Sequence, residues 1–175
     1  MVVDLTGAQG RCTTVVVQSF DPTRADLPLA ALFAGWAMAD EVSAALAADG
    51  FDDVRFADGI VFQHLVGGPI AVGALAERMG VSQQAASKAV ADLERRGYVR
   101  RQRDPADARL RRVALTGRGE AVVAAARRHR AALSERLAQR LGPRRAEAAR
   151  RLLVDVLGEL GADAALRARR ARPPR

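Results

Sequence analysis

The chain has 175 residues, of which 49% are hydrophobic but only 4% aromatic, and its formal net charge is +8. This length suits one domain with extensions, and one cysteine and two histidines predict neither a disulfide framework nor a metal site. No apolar run approaches ~18 residues and the N-terminus lacks a signal-peptide pattern, so we expect no membrane span and a cytoplasmic location. No enzyme or nucleotide-binding motif is present, so we expect neither enzyme activity nor a cofactor.

Residues 1–25 form an N-terminal extension. It contains a β-branched run at 13–18, which favours a strand. This extension is either disordered or packs against the body of the protein or a partner subunit. The single cysteine, Cys12, lies in a loop-like context upstream of the first helix, which does not favour a redox role.

A first helix is predicted to begin at Asp26 or Leu27 and to end at Gly50. Apolar residues follow helical spacing along it, with two aromatic side chains, Phe33 and Trp36, on that face. These aromatic residues either pack in a core or line a ligand pocket.

The second helix is predicted over residues 56–66, and Gly67-Gly68-Pro69 ends it. Its apolar face is formed by Ile60, Val61 and Leu65, with Phe56 as a further member. His64 is either a ligand-binding or regulatory residue or an ordinary, partly buried side chain.

Residues 71–97 predict two helices joined by a tight turn. Leu75 and Met79 give the first helix an apolar stripe, and Gly80 ends it because glycine adopts positive φ without cost. Ser82 is a favourable N-cap for the next helix. That helix buries one face through residues at positions i, i+3, i+4 and i+7, which are Ala86, Ala89, Val90 and Leu93.

The helix that begins after Ser82 carries, on the face opposite its apolar residues, polar side chains that can form hydrogen bonds with base edges or phosphates. In a helix-turn-helix, the N-terminal residues of the second helix enter the major groove of DNA. The predicted DNA-contacting residues at this end are Ser82, Gln83, Gln84, Ser87 and Lys88.

Two short strands follow, over residues 98–103 and 110–115, and the turn-forming segment 104–109 joins them. A helix-turn-helix followed by such a hairpin is a winged helix. Arg103, Arg109 and Arg111 lie near the tip of this wing, where a guanidinium can enter a minor groove. Asp107 is expected to orient Arg109 by an ion pair.

The charge of the chain reverses where the proposed recognition helix begins. Residues 1–81 contain four basic and ten acidic side chains, whereas residues 82–118 contain ten basic and four acidic ones. A positive field confined to the winged helix is typical of DNA binding rather than of a merely solvated basic surface.

Two long helices are predicted after the wing. Thr116 caps the first, which continues to about Gly142, and the second begins at Pro143. Leucine and valine residues at positions 153, 156, 157 and 160 repeat at i, i+3, i+4 and i+7. Because a small winged helix cannot cover all this apolar surface, we expect a twofold-symmetric homodimer.

The segment VSQQAASKAVADLERRGYVRRQRDPADARLRRVALTGRGE resembles the core of the MarR family of dimeric winged-helix regulators. The wing signature is carried by Asp104, Pro105, Asp107 and Arg109, followed by VALTGRGE. The resemblance extends over about residues 30–160.

This resemblance implies a mainly helical fold with a small β-hairpin wing and a helical dimerisation region. The expected order is the extension (1–25), a first dimerisation helix (26–50), the winged helix-turn-helix (51–118), further dimerisation helices (119–161) and a basic tail (162–175). A small anionic or phenolic effector is implied between the dimer helices and the winged domain.

The sequence therefore predicts a homodimeric, sequence-specific DNA-binding transcriptional regulator, most often a repressor in families of this kind. Its operator would be a pseudo-palindrome in double-stranded DNA, and an effector would release it. The alternative is a winged-helix architectural or protein-interaction module that does not recognise a DNA sequence.

Overall fold

The computed structural model describes residues 24–103 and 111–162. Within these ranges the chain is mainly helical with one small antiparallel sheet, as the sequence predicts. The elements in chain order are α1 (Leu27–Ala48), α2 (Asp58–Leu65), β1 (Ile70–Ala71), α3 (Val72–Met79), α4 (Gln83–Arg95), β2 (Val99–Arg103), β3 (Arg111–Leu115), α5 (Gly117–Leu141) and α6 (Pro143–Glu159). Residues 58–115 are called the body below, and residues 117–159, which form α5 and α6, are called the arm.

The chain divides into two compact units, residues 1–37 and 38–175. In the described part of the first unit, Asp26 caps α1, since its carboxylate accepts a hydrogen bond from the backbone N–H of Leu29 at 2.9 Å. Phe33 and Trp36 meet edge to face with ring centroids 5.4 Å apart. Both are exposed, at 41% and 56% of their surfaces, so the expectation that they pack in a core is not met in the single chain.

By length and composition alone, α1 is apolar enough to cross a membrane, with a mean hydropathy of 1.3 in its most apolar window. Only 6% of that window is buried. Asp40 and Glu41 interrupt its apolar run, which is why the sequence predicts no span. One such helix is weak evidence, because a mostly buried core helix of a soluble protein and a signal sequence near the N-terminus pass the same test.

Helix α2 begins two residues later than predicted, and this changes its apolar face. Val61 and Leu65 are buried as expected, but Phe56 precedes the helix and is 74% exposed, so its predicted place in the core is wrong. Phe62 is buried instead, against the ring of Tyr98 at a centroid distance of 5.7 Å. His64 is buried, more deeply than the sequence suggested.

The turn between α3 and α4 has the predicted geometry. Gly80 adopts φ +63°, which ends α3, and the Ser82 hydroxyl accepts a hydrogen bond from the Ala85 N–H at 3.1 Å, which begins α4. Leu75 and Ala76 of α3 and Ala86, Val90 and Leu93 of α4 are all buried. The helix-turn-helix is therefore confirmed.

The sheet has three strands in the order β1–β3–β2, all antiparallel. The predicted wing strands β2 and β3 pair along their whole length, from Val99 opposite Leu115 to Arg103 opposite Arg111. The sequence missed β1, which pairs Ile70 with Val113. This third strand fixes the wing to the segment that leads into α3.

The arm begins directly against the body. The Thr116 side chain accepts a hydrogen bond from the Gly119 N–H at 3.1 Å, as predicted for an N-cap, and donates one to the Gly97 carbonyl at 2.6 Å. A Cβ atom on Gly119 would lie 2.1 Å from the carbonyl oxygen of Tyr98. Only glycine therefore allows this approach.

Helix α6 has no buried residue in the single chain. Its apolar side chains, Leu152, Leu153 and Val154, and the following Leu160 are 41–74% exposed. Among the described residues, this face of the arm therefore remains largely uncovered.

Candidate functional site

The exposed face of α4 holds the predicted DNA-contacting residues together in its first two turns. Gln83, Gln84 and Lys88 are exposed, and Ser87 is half-buried at their edge. Ser82 is exposed too, but its hydroxyl already caps the helix. The free N–H groups and positive dipole end of α4 lie at the same place, which favours an anion such as a phosphate.

The wing places further positive charge at the open end of β2 and β3. Arg103 and Arg111 face each other across the strand pair, and both are exposed. Arg101 is held back from this end by Glu94 of α4, at 2.8 Å. Asp107 and Arg109 lie outside the described residues, so their predicted places at the wing tip remain predictions.

A charged cluster centred on Arg96 secures the C-terminal end of α4. Its guanidinium donates to both carboxylate oxygens of Asp58, at 2.7 and 2.9 Å, and to Asp92 at 2.6 Å. It also donates to the backbone carbonyl of Asp53 at 2.7 Å. Because a guanidinium–carboxylate pair with two hydrogen bonds has a fixed geometry, this cluster joins the end of α4 to the start of α2.

Tyr98 connects the same cluster to the first turn of α5. Its hydroxyl donates to the Asp53 carboxylate and accepts from the guanidinium of Arg118 at 3.0 Å. Arg118 also bonds Asp53 at 3.0 Å and lies 4.7 Å above the centre of the Tyr98 ring. The Tyr98 hydrogen bond and the Arg118 charge lower the pKa of Asp53, whereas burial raises the pKa of Tyr98.

The sequence reasoning did not identify this cluster. Its members lie in three separate segments of the chain, around residues 53–58, 92–98 and 118. The available signal was local: the basic pair Arg95-Arg96 before Gly97, and the position of Arg118 inside TGRGE. Both patterns also occur on solvated surfaces, so they did not distinguish a buried ion pair.

A cleft of about 640 Å³ lies in the second unit, lined by α1, α2, α5 and the loop before α2. Its apolar lining includes Val42, Leu46, Phe62, Val122 and Leu133. Two arginines of α5, Arg127 and Arg130, also line it, and no described carboxylate lies within ion-pair distance of either. An apolar wall with two available guanidinium groups suits a small amphipathic anion.

None of the three predicted ligand-binding residues is among those that line this cleft. His64 is buried in α2, and Phe33 and Trp36 belong to the first unit. Within the described ranges, no three His, Cys, Asp or Glu residues are grouped closely enough to hold a metal ion.

Comparisons with known proteins agree with this geometry. The model of the MarR family matches residues 53–110. No curated protein sequence matches the chain.

Solved structures match over most of the chain. The YusO protein from Bacillus subtilis is 22% identical, and the match covers 81% of this chain and 99% of that one at a TM-score of 0.61. The transcriptional regulator PA4135 is 26% identical, with 79% and 97% covered and a TM-score of 0.54. FabT of Streptococcus pneumoniae, solved in complex with DNA, is 19% identical, with 81% and 98% covered and a TM-score of 0.62.

The family match spans the helix-turn-helix and the first wing strand, and these structures share the fold around it. The helix-turn-helix part of the chain thus matches the MarR family, and the chain is similar over most of its length to the transcriptional regulator PA4135.

Proposed function

We propose that the chain is a homodimeric, sequence-specific DNA-binding transcriptional regulator. One observation carries this proposal: α4 buries Ala86, Val90 and Leu93 while it exposes Gln83 and Gln84 in its first turn. A glutamine amide can make two hydrogen bonds to adenine in the major groove, and Lys88 can reach a guanine or a phosphate. FabT, which shares the fold, is solved in complex with DNA, and this supports a DNA-binding role for the chain.

The wing supplies the second contact in this proposal. Arg103 and Arg111 stand at the outer end of its strand pair, next to the connecting segment, with their side chains exposed. Arg109, with Asp107 to orient it, extends from there by its place in the sequence. A guanidinium in a minor groove reads groove width and potential more than base identity. The helix would thus read sequence while the wing adds affinity.

The exposed apolar face of α6 supports a dimer. Packing Leu153, Leu157 and Leu160 against the same face of a second copy would remove apolar surface from water on both subunits. A twofold axis would also place the two α4 helices in successive major grooves, ~34–36 Å apart. The operator is then a pseudo-palindrome.

We propose that the cleft takes the effector. Its apolar wall and the guanidinium groups of Arg127 and Arg130 suit a small aromatic carboxylate. Such a molecule would bind where the arm meets the body and change the separation of the two recognition helices, which would release DNA. The regulator would accordingly act as a repressor.

The test is a selection of DNA fragments by the purified protein, followed by sequencing. The expected result is one shared inverted repeat, which the double variant Gln83→Ala/Gln84→Ala no longer enriches. Diffuse recovery of fragments, equal for both proteins, would instead favour the architectural module. A reporter placed behind the recovered repeat should lose expression when the protein is supplied, and a gain of expression would refute repression.

A further inference from the structure

We propose that the loop of residues 51–57, between α1 and α2, couples the state of the cleft to the recognition helix. This inference rests on the proposed function of the cleft and adds a route by which its occupancy reaches α4. The loop is called the coupling loop below.

The coupling loop faces two parts of the molecule. Val54, Arg55 and Phe56 line the cleft. On its other side, the backbone carbonyl of Asp53 accepts a hydrogen bond from Arg96, and the Asp53 carboxylate binds Tyr98 and Arg118. A group that enters the cleft therefore touches residues one to three positions from those that hold the end of α4.

A single residue, Arg55, contacts both the cleft and the end of α4. It lines the cleft, its backbone N–H donates to Asp58 at 2.8 Å, and its guanidinium lies 3.2 Å from Asp92 of α4. The Arg55–Asp92 pair is exposed and is therefore weak by itself. The pair matters because of its position: Asp92 and Asp58 both bind the half-buried Arg96.

The Arg96 cluster makes the connection stiff. The side chains of Arg96 and Asp58 are only 13% and 10% exposed, so separating them would cost each charge its paired hydrogen bonds at a site with little access to water. When the coupling loop moves, the least costly response is for Arg96 and the last turn of α4 to move with it. The N-terminal end of α4, which carries Gln83 and Gln84, then tilts.

The experiment fills the cleft without any ligand. Ala126 lines it from α5, and Ala126→Phe adds a ring there. Ala131→Phe is the matched control, since it places the same ring on an exposed position of α5 outside the cleft. We expect Ala126→Phe to weaken operator binding about tenfold and Ala131→Phe to leave it unchanged. Equal affinity of both variants would overturn the coupling.

A double-mutant cycle tests the route. In an Asp58→Asn background, Ala126→Phe should change operator affinity less than threefold, because the ion pair that makes Arg96 follow the end of the loop is lost. If Asp58→Asn does not fold, Asp92→Asn, which releases both Arg55 and Arg96, replaces it. An effect of Ala126→Phe that is the same size in both backgrounds would rule the route out.

Hydrogen–deuterium exchange separates this inference from the proposed function. Ala126→Phe should speed exchange in residues 51–57 and 92–95, and the added Asp58→Asn should abolish the change at 92–95 but not at 51–57. If the wild-type protein selects no operator but this pattern appears, the coupling stands and the DNA-binding proposal fails. If exchange at 92–95 does not respond, the coupling fails whatever the DNA result.

Discussion

Helices α4 and α6 have the same apolar spacing but opposite surroundings. In α4 the positions i, i+3, i+4 and i+7 begin at Ala86, and in α6 they begin at Leu153. Leu93, the last of the α4 set, is 1% exposed, whereas Leu160, the last of the α6 set, is 74% exposed.

The difference shows what a helical pattern specifies. It defines which face of a helix is apolar, but not which surface covers that face. For α4 the covering surface comes from α2, α3 and the sheet, all in the same chain. For α6 the described residues cover the apolar face only in part: Val156 and Leu157 are half-buried, but Leu153 and Leu160 are exposed. The same pattern therefore predicts an intermolecular surface.

The largest expected effect comes from placing a charge on the apolar face of α6. Leu157→Asp would bury a charge in the proposed dimer interface, and we expect it to weaken dimerisation by about 3–5 kcal/mol while the body stays folded. Sedimentation velocity and circular dichroism measure the two quantities. A wild-type chain that sediments as a folded monomer at micromolar concentration would contradict the dimer.

A truncation in α4 should act on folding itself. Leu93 is fully enclosed in the body, so Leu93→Ala should lower the free energy of unfolding by about 2–5 kcal/mol. Chemical denaturation should show the same loss at every protein concentration. Leu153→Ala is the counterpart on α6, and its cost should depend on concentration; identical behaviour of the two variants would remove the distinction drawn here.

The exposed face of α4 should affect recognition and not stability. Gln84→Ala should cost about 1–3 kcal/mol at one base position in each half-site and leave binding to random DNA nearly unchanged. Binding curves on the operator, its point variants and random DNA would measure this. Gln139→Ala, on α5, is the control. An equal loss on every sequence would place Gln84 on the phosphate backbone.

The wing should respond in the opposite way. Arg109→Ala should weaken binding to all sequences alike and lower the slope of log affinity against log salt by about one. Titrations at two salt concentrations would show it. A loss confined to a single base pair would instead make Arg109 a base-reading residue.

The smallest expected effect concerns the charges under α4. Hydrogen bonding by Tyr98 and the charge of Arg118 lower the pKa of Asp53 from its ordinary 3.8. The stability that the ionised Asp53 adds through Tyr98 and Arg118 is therefore complete above about pH 4. It is lost as the pH falls through the lowered pKa of Asp53. Asp53→Asn should flatten the acid side of the curve of unfolding free energy against pH. Parallel curves for wild type and Asp53→Asn would contradict this assignment.

The features that the sequence predicted correctly depend on short-range geometry. Gly80 and Ser82 define the turn between α3 and α4 through their own backbone and hydroxyl groups. The core face of α4 follows from helical spacing once those ends are known. Thr116 could be assigned as a cap for the same reason.

The features that it missed depend on partners far along the chain. Strand β1 has only two residues and exists because Ile70 pairs with Val113. Arg96 and Asp58 are 38 positions apart, and each alone resembles a surface charge. The error at Phe56 came from extending helical spacing past the true start of α2, where it no longer determines which side is buried.

Gly119 lets the first turn of α5 pack directly against the body. A methyl group there would overlap the Tyr98 carbonyl, so the first turn of α5 sits on the body without clearance. Helix α5 has 25 residues and so extends ~37 Å from that turn at ~1.5 Å per residue. If α5 tilts by about 5° about Gly119, its far end moves by roughly 3 Å. Arg118 bonds Asp53 and Tyr98 at this point, so in the proposed dimer it would influence the distance between the far ends of the two arms.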